Sequence, residues 1–326
     1  MKRLINRIAV GIIGLNAIFS ASQTLAADDV NVRFSYKLKG EYGFFYLGQE
    51  KGVYSQAGLS TTFGEGASSQ AALGSLIQGQ DDLIVLPGIF AISAIQKGMP
   101  IKIVALYQPA APTVLVSHPE QPLNTPKDLE GKTIAAPIGE TGTTYLGVFC
   151  EINDIDCSKI KKVQIDVQAR VSQFLTNQID VIAAYKTNDL PILEAKTGKT
   201  FSVLDQVKYG LTVPGMAVVA SDNGISSKSD ILKKFLASTA SAIEQTRTEP
   251  QTAVTALKAV WPNGPADAVV LKQIEATSAS IPTSAENPVG WVDEKSIAAA
   301  LKLLDEGSSA VQKPLSEFYT NALLQK

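Results

Sequence analysis

Histidine is all but missing from these 326 residues: His118 stands alone, with Pro119 after it at the end of an apolar run. It reads as a surface or crossing-loop residue. The patterns HExxH, GxSxG and GxxxxGKS/T are missing as well, which removes the common zinc-hydrolase, nucleophile-elbow and phosphate-loop chemistries. Asp81-Asp82 resembles a carboxylate pair, but it opens an apolar run and reads as the start of a buried strand. Cys150 has no basic neighbour to stabilise a thiolate. No catalytic constellation emerges, so a non-enzymatic protein without cofactor or metal is expected. Charge of one sign is lacking too: 29 Lys and Arg against 31 Asp and Glu leave a net charge of −2. That balance offers no footprint for nucleic acid or an anionic membrane. Beyond residue 26 no apolar run approaches the length needed to span a bilayer.

What is present is enough apolar material, 45% of residues, for one or two packed domains. The first 26 residues follow the order of a secretory signal. Lys2, Arg3 and Arg7 give a positive start, residues 8–19 a short apolar run, and Thr24-Leu25-Ala26 a small-residue cleavage site. No cysteine sits there to carry a lipid, so the mature chain is expected to be exported and soluble. Export permits a disulfide between Cys150 and Cys157, with Asn153 and Asp154 suited to the turn between them. Two buried thiols are the alternative.

The chain is organised around residues 65–88. Ser68 or Ser69 is placed to cap a helix. Leu73, Leu76 and Ile77 form its apolar stripe, Gly79 ends it, and residues 83–86 form a buried strand before the Pro87-Gly88 turn. A weaker copy follows 98 positions on: Gln70, Leu73, Leu76, Ile77, Gln80 and Asp82 match Gln168, Val171, Phe174, Leu175, Gln178 and Asp180. Around these units strands are expected at 30–36, 59–63, 101–106, 113–117, 132–136, 162–167, 181–185 and 201–204. Helices are expected at 44–54, 89–96, 145–149 and 190–196, with a helical turn at 126–129. Alternation of this kind implies right-handed crossovers and mainly parallel sheets. Segments 108–112 and 207–220 read as two lobe crossings, and residues 226–326 as almost wholly helical, returning to complete the first lobe. The boundaries are 27–109 with 215–326 for lobe 1 and 110–214 for lobe 2.

Open parallel sheets bind ligands outside the carboxyl ends of their strands. Two turns therefore draw attention: 65–69, with Glu65, Ala67 and Ser68, and 139–144, with Thr141, Gly142 and Thr143. Each puts backbone N–H groups and hydroxyls at a helix start, which favours a negative group. They are expected at equivalent positions in the two lobes. Glu65 and Glu140 would repel an anion unless turned away, or would receive an amine or ring N–H. Pro87 and Gly88 form the next turn. Tyr42, Tyr107 and Tyr185 supply amphipathic walls, and Lys39 and Arg170 the nearby cations.

Several stretches carry a family likeness. FYLGQEKGVYSQAGL at 45–59, AALxxLxxGQxD at 71–82, PKDLEGKTIAAP at 126–137 and VPG at 213–215 resemble the periplasmic solute-binding proteins of ABC importers. The nearest branch is the one for nitrate, sulfonate, taurine and thiamine-pyrimidine precursors, and the likeness runs over about residues 30–250. The loop KLKGEY at 37–42 departs from the Trp/Pro/Asn pattern of pyrimidine binders. The enzymatic relatives that make the thiamine pyrimidine use a cysteine cluster and a histidine that this chain does not match. The resemblance implies two α/β lobes closing on a ligand, and a monomer in the periplasm. It also implies delivery to an inner-membrane permease driven by an ATPase. The expected ligand is a small organic anion of sulfonate or carboxylate type. A thiamine pyrimidine precursor or related heterocycle, bound or converted, is the alternative.

Overall fold

A computed structural model describes residues 27–166, 169–305 and 313–325. The expected signal segment, Val167 and Gln168 lie outside the described residues. The first run is β1 (Asp28–Phe34), α1 (Gly43–Glu50), α2 (Val53–Gln56), β2 (Leu59–Gly64), α3 (Ser69–Ile77), β3 (Leu83–Pro87), α4 (Gly88–Gln96) and β4 (Ile101–Leu106). The second is β5 (Thr113–Ser117), β6 (Thr133–Ala135), α5 (Thr141–Thr144), α6 (Leu146–Ile152), β7 (Lys161–Val163), α7 (Ala169–Leu175), β8 (Val181–Tyr185), α8 (Asp189–Thr197) and β9 (Ser202–Asp205). The chain then enters β10 (Met216–Ser221), followed by α9 (Asp222–Ser227), α10 (Ser229–Thr248), α11 (Pro250–Val260), α12 (Asp267–Ser280) and α13 (Glu294–Asp305).

Two five-stranded sheets result, in the orders β2-β1-β3-β10-β4 and β7-β6-β8-β5-β9. Each carries one reversed strand. β10 pairs antiparallel with β3 and β4, and β5 antiparallel with β8 and β9. The reversed strand is in each case the one the chain enters on arriving from the other lobe. The second crossing is therefore shorter than its expected 207–220, because Met216–Ser221 is a buried strand of the first sheet. Among other departures, the helix expected at 44–54 breaks into α1 and α2, since Gly52 turns left-handed at φ +69°. The strand expected at 162–167 shortens to β7.

The 98-residue repeat has a local cause. β3 and β8 begin and end 98 positions apart, at 83–87 and 181–185. Gly79 and Asn177 both take positive φ after their helices, at +71° and +56°. The Asp82 carboxylate accepts the Asn31 N–H of β1 at 2.9 Å, and the Asp180 carboxylate accepts the Thr133 N–H of β6 at 2.7 Å. Each aspartate thus pins the start of its strand to the neighbouring one, a task that requires the same residue at the same register in both sheets.

The helices after β10 return to the first sheet. Leu232, Phe235, Leu236 and Ile243 of α10, with Leu257 of α11 and Ile274 of α12, share a core with Val30, Phe34, Phe45 and Leu83. Cys150 and Cys157 are joined by a disulfide with Cα atoms 5.7 Å apart, within the ordinary span. Titration of the unfolded, unreduced protein is expected to find no free thiol; two free thiols would remove the bridge.

Candidate functional site

The carboxyl ends of β1, β3 and β8 open onto a cavity of about 770 Å³ between the two sheets. Its first wall comes from the loop after β1, the start of α3 and the end of β3. Its second wall comes from the turn after β6, α7 and the β8–α8 junction. Tyr36, Tyr42, Phe90 and Tyr185 give it aromatic surface.

Its charge is balanced. Lys39, Arg170 and Lys196 face Glu41, Glu140 and Asp189, three against three. Most of this charge is already engaged. One terminal nitrogen of Arg170 donates to the Glu140 carboxylate and, at 2.9 Å, to the Ala183 carbonyl. The other lies 3.9 Å from Asp189, which is 3.9 Å from Lys39. The Asn188 side-chain amide donates to Glu41 at 2.8 Å. Arg170 Nε is buried with no hydrogen-bond partner among the described residues.

Burial sets the acidities. Desolvation pushes the Glu140 carboxyl up to about 7 against the pull of Arg170. It raises Glu41 too, outweighing Lys39. Asp189 is also desolvated, but Lys39 and Arg170 together hold it below the usual carboxylate range. Burial raises the phenols of Tyr42 and Tyr185, so both remain neutral hydrogen-bonding groups; the Tyr185 hydroxyl meets the Thr141 hydroxyl at 3.1 Å.

Nine of the thirteen residues singled out in the sequence line this cavity: Lys39, Tyr42, Ala67, Ser68, Pro87, Thr141, Gly142, Arg170 and Tyr185. Ser68 also caps α3, accepting the Ala71 N–H at 3.1 Å. Four residues fall elsewhere. Glu65 turns outward, where its carboxylate accepts the Leu38 N–H at 2.7 Å and pairs with Lys37 at 3.2 Å. Gly88 spends its N–H on the Gly215 carbonyl at 2.6 Å, tying α4 to the crossing. Tyr107 is buried in the first-lobe core edge-on to Phe44. Thr143 sits behind the wall and donates its hydroxyl to Glu140 at 2.8 Å. His118 is likewise outside, stacked on Phe174 at 4.2 Å between ring centres.

The expected equivalence of turns 65–69 and 139–144 needs correction. β6 holds the sheet position of β1, so the counterpart of 139–144 is the loop 35–42; the described residues after β7, 164–166, occupy the place of turn 65–69. On that alignment Glu41 and Glu140 are counterparts, one desolvated carboxyl from each lobe, Glu41 buried and Glu140 nearly so. Glu41 was legible only as a letter in KLKGEY, because what buries it includes Asn188 and Gln273, far off in sequence. Asp189 begins α8 and reads as ordinary helix-start chemistry.

The NMT1/THI5-like family matches residues 40–253. No curated protein matches the chain. Among solved structures, it resembles the alkanesulfonate-binding protein SsuA of Xanthomonas axonopodis pv. citri bound to MOPS. That pair shares 17% identity and a TM-score of 0.65, over 86% of this chain and 93% of the other. The aliphatic sulphonate binding protein SsuA of Escherichia coli shares 16% identity at a TM-score of 0.66, over 86% and 91%. The nitrate-binding protein NrtA of Synechocystis PCC 6803 shares 12% identity at 0.67, over 91% and 87%. At such identities the likeness concerns the fold.

Proposed function

Since the chain belongs to the NMT1/THI5-like family, we propose that it is the solute-binding component of an ABC importer, acting by capture rather than catalysis. It is exported to the periplasm by its first 26 residues and works there as a monomer. Residues 27–109 with 215–326 and residues 110–214 are the two bodies that close on the ligand, and the closed form is what the inner-membrane permease and its ATPase receive. Ligand favours closure because only the closed arrangement makes both sets of contacts.

The ligand is a flat nitrogen heterocycle carrying N–H donors, of the thiamine-pyrimidine-precursor kind. The observation that carries this is the pair of desolvated carboxyls, Glu41 and Glu140, presented by equivalent loops of the two lobes to one aromatic-walled cavity. Arg170 is already held by Glu140, which leaves little free positive charge for a bare anion. A small sulfonate or carboxylate is the second reading, favoured by the start of α3, where Ser68, Ser69 and Gln70 line the cavity.

A thermal-shift screen of aminopyrimidines, aliphatic and aromatic sulfonates, carboxylates and nitrate tests both. A ligand at 100-fold its dissociation constant adds about 2.7 kcal/mol to folding stability. Aminopyrimidines are expected to raise the melting temperature most. A response to sulfonates alone would move the assignment to the second reading, and silence across the panel would remove both ligand classes.

A further inference from the structure

Besides the crossing segments, the lobes meet at a second, non-covalent joint. Its centre is Asn188, fully buried in the β8–α8 turn of the second lobe. Its side-chain amide donates to the Glu41 carboxylate at 2.8 Å and to the Thr187 hydroxyl at 3.1 Å. Its side-chain oxygen accepts the Glu41 N–H at 3.3 Å. Its backbone carbonyl accepts Gln273 of α12 at 2.9 Å, and the Gln273 oxygen accepts the Gly40 N–H at 3.1 Å. Gln273 is also fully buried. Three of these five bonds join the lobes, and every polar atom of both side-chain amides is satisfied.

We propose that Asn188 and Gln273 form a latch that holds the two lobes together before any ligand arrives, and that they thereby position Glu41 at the cavity wall. Such a network has value only while the lobes touch. Once they part, its members must be rehydrated one by one, and once Asn188 is removed, the buried Glu41 loses a partner at both its carboxylate and its backbone N–H in the closed form. Gly40 fits the same logic: a Cβ there would lie 2.3 Å from the Gln273 Cβ, so the loop bearing Glu41 presses directly on α12. Lys39 and Asp189, 3.9 Å apart, add an ion pair across the same joint. Neither Asn188 nor Gln273 lines the cavity, so their effect on ligand is through closure and the placing of Glu41.

The latch acts in the ligand-free protein, so its test needs no ligand and stands apart from the ligand classes proposed above. Small-angle scattering and amide hydrogen exchange are measured on ligand-free wild type, Asn188→Ala and Gln273→Met, with circular dichroism to verify folding. The wild type is expected to be the most compact. Both variants are expected to expand, with exchange at Gly40 and Glu41 about tenfold faster and the exchange of β3 and β8 unchanged. If Asn188→Ala fails to fold, Gln273→Met carries the test, because it nearly keeps the side-chain volume. Folded variants as compact as the wild type overturn the proposal. So does a wild type already as extended as Asn188→Ala.

Discussion

Lowering the pH from 8 to 6 is expected to weaken ligand binding about tenfold in the wild type and to act much less on a Glu140→Gln variant, where Glu41 is the remaining raised carboxyl. That variant is expected to bind about 10 to 100 times more weakly than the wild type at pH 8. Burial pushes the Glu140 carboxyl up to about 7 despite Arg170. A heterocycle that donates an N–H to this group requires it ionised. Below about 7 a proton must leave before the ligand can bind, and each further unit of acidity costs about a factor of ten. Glutamine presents an acceptor but no charge, so affinity drops and the part of the pH dependence that belongs to Glu140 disappears, leaving that of Glu41.

An anionic ligand would show the opposite sign. Protonation of Glu140 frees Arg170 and takes the three-against-three charge of the cavity to a net positive value, so a sulfonate would bind more tightly at pH 6 than at pH 8. The direction of the slope therefore separates the two ligand classes, and a flat profile in the wild type would remove Glu140 from the binding step. Stability of the ligand-free chain provides an independent check. A carboxyl whose folded value lies above its unfolded value near 4.3 contributes stability below that unfolded value and loses it as pH rises through about 7. The melting temperature of wild type relative to Glu140→Gln is expected to fall between pH 5 and 8.

How much of this was legible in the sequence depends on how far each feature reaches along the chain. β4, β5 and β8 end where apolar runs meet Pro, Gly or polar clusters, so their limits could be read residue by residue. The repeated Asp82 and Asp180 were visible as well, because a register clamp is a local device. The pairing of the two cavity turns was not. It depends on sheet order, and β6 takes the position of β1 only once β5 has inserted between β8 and β9. Glu41 and Asp189 escaped for a related reason. A glutamate in a Lys- and Gly-bearing loop reads as solvated until α12, more than 200 residues later, covers the loop. Glu65 and Tyr107 were misplaced by the same gap. Strand ends locate a residue near the cleft, but whether its side chain points inward depends on neighbours the local sequence does not name.

Replacing Phe34 with alanine is expected to remove about 3–5 kcal/mol of stability, and to weaken binding of any ligand that rests on Tyr42. Phe34 is fully buried at the end of β1. Its ring stacks on Tyr42 with centres 4.0 Å apart and planes 10° from parallel, and it also meets Phe45 at 5.3 Å and Phe63 at 5.9 Å. These neighbours come from the turn before α1, from α1 and from the edge strand β2, and Phe45 itself meets Phe63 at 5.5 Å, so the void cannot close by moving one ring alone. For a chain of this size the loss corresponds to a fall in melting temperature of about 10 °C. Tyr42 is both a cavity wall and a stacking partner, and its hydroxyl is bonded to Glu41 and Ser35. Removing the ring beneath it frees the wall to tilt and takes the Glu41 carboxyl with it. Phe34→Leu keeps most of the volume and is expected to recover over half of the stability but less of the affinity, since a leucine does not offer a flat face. Chemical denaturation and ligand titration of both variants check the two effects separately. A Phe34→Ala chain that loses less than about 1 kcal/mol, well under the range for a buried aromatic, would mean that the aromatic cluster is not what seats the cavity wall.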